Sequence, residues 1–493
     1  MKPSAGLGWL GIARLGLVQT ALGAVVVLTT STLNRVMVVE YALPAVLPGL
    51  LVALHYAVQM ARPRFGHGSD VGLDRTRWIV GGMAALACGG VGAALATTWL
   101  ADSPVAGLVL AAFAYAAIGL GVGAAGTSLL VLMATLVAPA RRAPAATIMW
   151  IMMIAGFAIT SAIAGHFLDP FSPARLVAVS AATSAIACAL ACLAIRGVEA
   201  RGRTAGTAGV HAATTSRASA ASRAVATRDA DGRNAAVVAS AAVVERAARE
   251  ADRGEPATRF RAALHAVWSE PTGRRFTIFV FASMLAYSAQ DLILEPFAGL
   301  VFGWTPGATT QLSGVQHGGT MLGMIVVALA GSSLARGRAG SLRAWMIGGC
   351  LGSAAALCAL VLVGHAGLGR ALAPSVFVLG ASNGAFAVAA IGSMMELASS
   401  HHDGREGVRM GLWGAAQAIA FGIGGLVGAA AVDVARAWLG APVQAYGLVF
   451  GAEALLFVVS ARLAARLDSA RDARAATLRD FTTARTAEQG GAT

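Results

Sequence analysis

The chain has 493 residues, of which 57% are hydrophobic and 12% charged, and its formal net charge is +13. A soluble domain carries roughly 25% charged residues, so this chain cannot cover a water-facing surface. The composition excludes a soluble globular enzyme, a disordered protein and a collagen-like chain, and leaves a polytopic membrane protein.

A span needs ~20 apolar residues to cross the hydrocarbon core. Lys2 to Arg14, with Leu7, Trp9, Leu10 and Ile12, reads as a short interfacial helix or as the start of the first span. The run that follows is too long for the apolar part of a cleavable signal. Six spans are predicted at about 14–38, 44–63, 78–100, 105–138, 145–168 and 174–196. Six more follow at about 274–300, 308–335, 343–364, 371–398, 407–432 and 441–464. The run 105–138 exceeds one membrane thickness, so it tilts or projects.

The predicted fold is therefore all-α and integral to the membrane: twelve transmembrane helices in two six-helix pseudo-symmetric halves. The N-terminal half covers 1–196, a linker 197–272, the C-terminal half 273–465 and a tail 466–493. The linker repeats Ala, Arg, Thr and Ser, with arginines from Arg201 to Arg261, and lacks an apolar stripe for a core. It reads as cytoplasmic and largely disordered, with a helix near 235–252 and affinity for anionic lipid. Without interleaved aromatics it is not expected to bind nucleic acid. The tail reads as solvated.

Orientation follows from the arginines. Arg62, Arg64, Arg75 and Arg77 fall between spans two and three, and Arg141 and Arg142 between four and five. Arg336, Arg338 and Arg343 fall between eight and nine, and Arg405 and Arg409 between ten and eleven. All lie on one side, so both termini are expected in the cytoplasm, with the chain in a bacterial inner membrane. The five cysteines lie in apolar runs without zinc spacing and read as small buried hydrophobes.

Several polar residues stand out against these spans. Asn34, Arg35 and Glu40 close the first, and Gln290, Asp291 and Glu295 close the seventh. Polar groups there are costly. They line a cavity or gate, with Arg35 and Glu40 able to pair, or they snorkel at the outer face. His55 and His317 occupy corresponding helices of the two halves, and Arg142 and Arg405 each precede a tryptophan by eight residues. A neutral imidazole offers a lone pair to a metal, including the central ion of a tetrapyrrole. The other reading of each histidine is hydrogen-bonded packing. The loop Gly66-His67-Gly68-Ser69-Asp70 leading to Arg75 and Arg77 places a glycine, an acid and bases where an electrostatic latch would sit at a helix end.

That loop resembles the signature loop of the major facilitator superfamily. The core Leu33-Asn34-Arg35-Val36-Met37-Val38-Val39-Glu40 resembles the BCH/PUC group of that superfamily, which includes PucC- and LhaA-like light-harvesting assembly factors. Leu54-His55-Tyr56 and Gly66-His67-Gly68 depart from the PucC-type pattern. They point to a bacteriochlorophyll-associated sister branch, sometimes labelled a bacteriochlorophyll synthase subunit. The resemblance implies binding, carriage or delivery of bacteriochlorophyll, or a precursor, for assembly of light-harvesting or reaction-centre complexes. Antenna polypeptides or pigment-synthesis enzymes would be the partners, in the intracytoplasmic photosynthetic membrane. Assigning His55 and His317 as magnesium ligands comes from residue chemistry and not from the family. No metal beyond the pigment magnesium is expected.

A carrier predicts a large apolar cavity between the halves. The alternative, a proton-coupled secondary transporter of a small solute, needs an embedded acid, for which Glu396 and Glu453 are candidates. An enzyme is not expected, and a synthase label would mark the pathway. The chain lacks the Asp-rich motifs that hold magnesium and diphosphate in a membrane prenyltransferase.

Overall fold

The computed structural model describes residues 7–61, 75–138, 141–199, 265, 268–330, 341–399 and 406–490. The N-terminal half consists of α1 (Trp9–Glu40), α2 (Val46–Gln59), α3 (Arg75–Asp102), α4 (Pro104–Leu136), α5 (Arg142–Leu168) and α6 (Pro173–Ile195). The C-terminal half consists of α7 (Pro271–Phe302), α8 (Pro306–Ala330), α9 (Leu342–His365), α10 (Gly369–Ser399), α11 (Glu406–Leu439) and α12 (Pro442–Gly490). The linker helix expected near 235–252 lies outside the described residues.

The helix boundaries follow local chemistry. Pro104, Pro173, Pro271, Pro306 and Pro442 each open a helix, where a missing N–H costs nothing. Gly303 ends α7 at φ 67°, a left-handed turn whose N–H returns to the carbonyl of Gly299. The connections 41–45, 103, 169–172, 303–305, 366–368 and 440–441 are short and lie together at the end opposite Trp9, here termed the distal end.

Among the described residues, eleven helices are long and apolar enough to cross a membrane. The predicted span 44–63 corresponds to the 14-residue apolar helix α2, shorter than the other spans. At ~1.5 Å per residue it falls short of the ~30 Å hydrocarbon core. The first span begins at Trp9, the second of the two readings of the segment from Lys2 to Arg14. The segment expected as a tail continues α12 to Gly490.

The packing repeats between halves. α1 packs on α5 and α6, α2 on α4, and α3 on α4 and α6; the same pairs recur in α7 to α12 with each number raised by six. Each half holds its own apolar core, one built on residues such as Leu15, Met83 and Leu129, the other on Phe279, Leu357 and Phe450. The halves meet through α5 against α8 and α2 against α11, a pair of contacts that the same shift of six exchanges. This is the pseudo-two-fold relation expected of repeated halves. At Gly314 of α8, a Cβ would sit 3.1 Å from the backbone nitrogen of Ala162 in α5, so glycine lets these helices approach without a shift of either backbone.

Lipid-facing positions carry Ile163, Ile186, Leu193 and Leu362, all exposed. The same geometry corrects the reading of the cysteines. Cys350 is buried, but Cys88 and Cys358 are exposed, because an apolar solvent imposes no need to bury a thiol.

Candidate functional site

The seam between the halves is polar toward the distal end, and the run Thr29-Thr30-Ser31-Thr32 begins it. The hydroxyls of Thr29 and Thr30 donate to the carbonyl of Val26 at 2.8 and 3.0 Å, competing with the helical ladder. α1 responds by widening into π-turns at Leu28–Thr32 and Val36–Glu40, with one α-turn, Leu33–Arg35, between them. Such widened turns recur at functional sites. The hydroxyl of Tyr115 in α4 donates to the carbonyl of Thr29 at 2.8 Å, which satisfies part of the loosened ladder.

The widened segment aims its polar groups across the seam. The Asn34 amide donates to the carbonyl of Leu292 in α7. The Ser31 hydroxyl reaches Glu295 of α7 and lies 3.2 Å from Ser313 of α8. Thr32 and Thr310 hydroxyls pair at 3.0 Å. Arg35 binds Glu40, and its second terminal nitrogen donates to the carbonyl of Trp304 at 2.7 Å. Its side chain is 2% exposed and that of Glu40 32%, so Arg35 is an interior charge and not a snorkelling one. Glu295 does not close its span as expected. It is buried inside α7, which runs on through Pro296 to Phe302.

Two further contacts join the halves at the distal end. Asp169 accepts from the Thr305 hydroxyl at 2.7 Å and the Gly307 N–H at 3.1 Å. Asp433 of α11 accepts from the N–H groups of Ala45 and Val46 at 3.0 and 2.8 Å, so an acid caps the start of α2. Sequence reasoning missed Ser31, Ser313, Thr310 and Asp433. The hydroxyl-rich stretch of α1 was the visible signal. Asp433 gave none, because its partner lies almost 400 residues away.

The two histidines differ. His317 is 6% exposed. Its Nδ1 lies 2.8 Å from the carbonyl of Ser313, which can only accept, so Nδ1 carries the proton and Nε2 the lone pair. Nε2 has no hydrogen-bond partner among the described residues. The ring packs edge-on against Phe157 of α5, across the seam, with centroids 4.9 Å apart. His55 sits on α2 with Nε2 2.8 Å from the Gln59 amide nitrogen, so that lone pair is engaged.

Deeper in the C-terminal half, Gln316 donates to Asp291 at 2.9 Å. Glu453 of α12 is 5% exposed, within electrostatic reach of Asp291, and neither carboxylate oxygen has a hydrogen-bond partner among the described residues. The amide of Gln290 is likewise buried without a partner among them. Glu396 is exposed at the other end of its half. Tyr56, Phe421 and Tyr287 form an aromatic bridge across the seam, with centroids 5.8 and 5.6 Å apart.

Of the predicted loop, Gly66 and Asp70 lie outside the described residues. Arg75 opens α3, and its N–H and that of Thr76 donate to the Glu199 carboxylate at 3.3 and 3.0 Å. Arg77 lies two residues on, about half a turn along α3. Arg142 opens α5 with its Nε donating to the carbonyl of Val137 at 3.2 Å; Arg405 lies outside the described residues. A cavity of about 750 Å³ is present away from the seam. It lies within the N-terminal half, among α1, α5 and α6, and faces the membrane.

A polytopic protein with two six-helix halves and a polar distal seam has the architecture of the major facilitator fold. A POT family transporter in complex with a thioalcohol-conjugated peptide superposes on it with a TM-score of 0.60 at 15% identity, covering 93% of this chain and 96% of that one. That likeness is one of fold. The family model described as PUCC protein matches residues 32–243 and 236–471. The chain belongs to the PucC family. Bacteriochlorophyll synthase 44.5 kDa chain of Rhodobacter capsulatus is 50% identical over 470 residues, covering 95% of this chain and 97% of that protein. Protein PucC of the same organism is 26% identical over 481 residues, covering 92% of each.

The first of these relatives overturns the expectation that the chain is no enzyme. A protein named as a synthase chain matches it over nearly its whole length. Asp-rich motifs mark a self-contained prenyltransferase centre. One chain of a multi-chain enzyme need not hold the diphosphate ligands itself.

Proposed function

We propose that this PucC-family protein binds bacteriochlorophyll, or a precursor, and delivers it during assembly of light-harvesting or reaction-centre complexes. The observation that carries this reading is His317. A metal-ligating imidazole characteristically donates its other N–H to a carbonyl, which fixes tautomer and ring direction. His317 does so through Ser313, beside an aromatic ring of the opposite half and with Nε2 unspent. The residues therefore suit the magnesium of a chlorin, and His55, whose Nε2 is engaged by Gln59, suits it less well. The names of the relatives agree with a pigment-linked role. Antenna polypeptides or pigment-synthesis enzymes are the proposed partners. The arginine distribution supports an orientation with the distal end away from the cytoplasm and both termini within it, and the pigment-linked reading makes an intracytoplasmic photosynthetic membrane the proposed location.

The polar groups around Asn34, Arg35, Glu40 and Glu295 are proposed to hold the distal end of the seam shut, with Gln290 and Asp291 lining its interior. The test is the absorption spectrum of tagged protein purified in mild detergent from a pigment-producing host. Near-infrared pigment at stoichiometric level, retained in His55→Ala and lost in folded His317→Ala, is the expected result. Colourless wild-type protein overturns the reading.

A second reading, proton-coupled transport of a small solute, is favoured by the unpartnered buried carboxyl of Glu453. Proton-driven uptake in proteoliposomes, abolished by Glu453→Gln, would establish it over pigment delivery.

A further inference from the structure

The membrane-facing cavity of the N-terminal half has a composition that ordinary lipid contact does not require. Its floor is built from small residues, among them Ala21, Ala24 and Gly156, and its walls from Ile159, Ile163 and Ile186, with Ala182 at the exposed side. A smooth floor between branched walls fits a flat or chain-like apolar body. The volume of about 750 Å³ lies within the range of roughly 300–1,000 Å³ typical of small-molecule sites.

The charged and imidazole groups of this cavity gather at one end. His166 and Asp169 come from the close of α5, and Arg175 from the opening of α6. Asp169 is already committed across the seam to Thr305 and Gly307. Arg175 has no ion-pair partner among the described residues, and its backbone N–H, rather than its guanidinium, is what binds Ser172. His166 is exposed, packs its ring edge against Phe167, and makes no hydrogen bond among the described residues. An apolar trough therefore ends in one unpaired guanidinium and one unspent imidazole.

Resting on the pigment reading above, we propose that this groove is a docking site for a magnesium chlorin that still carries a free carboxylate, entering from the membrane. His166 takes the magnesium, Arg175 takes the carboxylate through its planar fork, and the macrocycle lies on the small-residue floor. An anionic phospholipid would engage Arg175 and the trough but leave the imidazole unused. A fully esterified pigment would engage His166 and leave the guanidinium without a partner. The free acid uses both. The site lies on the outer face of α5, whose inner face carries Phe157 against His317, so pigment docked here is one helix away from the seam.

The test uses the full-length protein in detergent, titrated with magnesium bacteriochlorophyllide, its methyl ester and the metal-free acid, and followed by absorption and tryptophan quenching. A charge-assisted contact to Arg175 predicts that the free acid binds about 10- to 100-fold more tightly than the ester. Arg175→Gln should erase that preference. His166→Ala should remove the axial-ligand shift of the magnesium probe and leave binding of the metal-free acid unchanged. Ala182→Trp, which fills the groove from the exposed side, should block all three probes in a protein of unchanged thermal stability. Equal affinity for acid and ester overturns the proposal, as does displacement by phosphatidylglycerol that depends on Arg175 but not on His166. Loss of pigment in His317→Ala alone, with both groove variants unaffected, overturns the groove and spares the pigment reading. No binding of any probe overturns both.

Discussion

The pair Arg35–Glu40 gives an asymmetric prediction. The arginine is the buried partner, at 2% exposure, and the glutamate reaches solvent, at 32%. Replacing Arg35 by Met keeps most of the stem and leaves behind Glu40 and the carbonyl of Trp304, both within reach of water. An exposed-type ion pair contributes up to ~1 kcal/mol and a hydrogen bond to a charged group ~1.5–3 kcal/mol, so Arg35→Met should cost about 2 kcal/mol. Replacing Glu40 by Gln strands a guanidinium inside the protein. Breaking a buried pair that way costs ~3–5 kcal/mol. Glu295 also acts on Arg35 electrostatically, which places the expected cost at the lower end, about 3 kcal/mol. The order is therefore Glu40→Gln worse than Arg35→Met, with the double variant no worse than Arg35→Met alone. Equilibrium unfolding in mixed micelles followed by far-UV circular dichroism measures all three. If Glu40→Gln proves the milder change, Arg35 is not an interior charge and the distal gate built on it fails.

Other perturbations probe the same architecture. Gly314→Leu should separate α5 from α8, because even a Cβ meets Ala162 at 3.1 Å; overpacking of this kind costs ~1–3 kcal/mol, read as a lowered unfolding midpoint, and an unchanged midpoint would mean that the helices are not in contact. Asp433→Ala removes both acceptors at the start of α2, with a loss of about 1–2 kcal/mol expected from a missing helix cap and faster hydrogen exchange at Ala45 and Val46; protection equal to wild type would exclude the cap. Glu453→Gln should change stability by less than ~1 kcal/mol, because neither carboxylate oxygen has a bond to lose. A loss of several kcal/mol in the same unfolding assay would reveal a partner.

The candidate site was legible in the sequence only in part. Arg35 and Glu40 were recognisable as a pair because both lie on one stretch of chain, five residues apart. Asn34 and Glu295 were recognisable as unusual because a polar group in an apolar run is costly wherever it points. Their partners were not. Ser31 to Glu295 spans 264 residues and Thr32 to Thr310 spans 278, and no local pattern encodes a contact that exists only after two halves dock. The histidines show the same limit. Sequence placed His55 and His317 on matching helices, but their distinction depends on which neighbour lies one turn away: Gln59 engages Nε2 of the first, and the Ser313 carbonyl engages Nδ1 of the second.

The sequence by itself determined the class and the approximate position of each of the twelve helices named above, because hydropathy, proline and arginine act locally and the membrane demands that backbone groups be satisfied within each segment. Tertiary structure alone decided where space and charge meet. It opened a cavity on the membrane-facing side of α1, α5 and α6, turned Glu295 from a span end into an interior group, and committed Asp169 across the seam, leaving Arg175 without an ion-pair partner among the described residues. The physical reason is that cavities and unpaired charges are what remains after all helices have packed, so they belong to the assembled bundle and to no single segment of the chain.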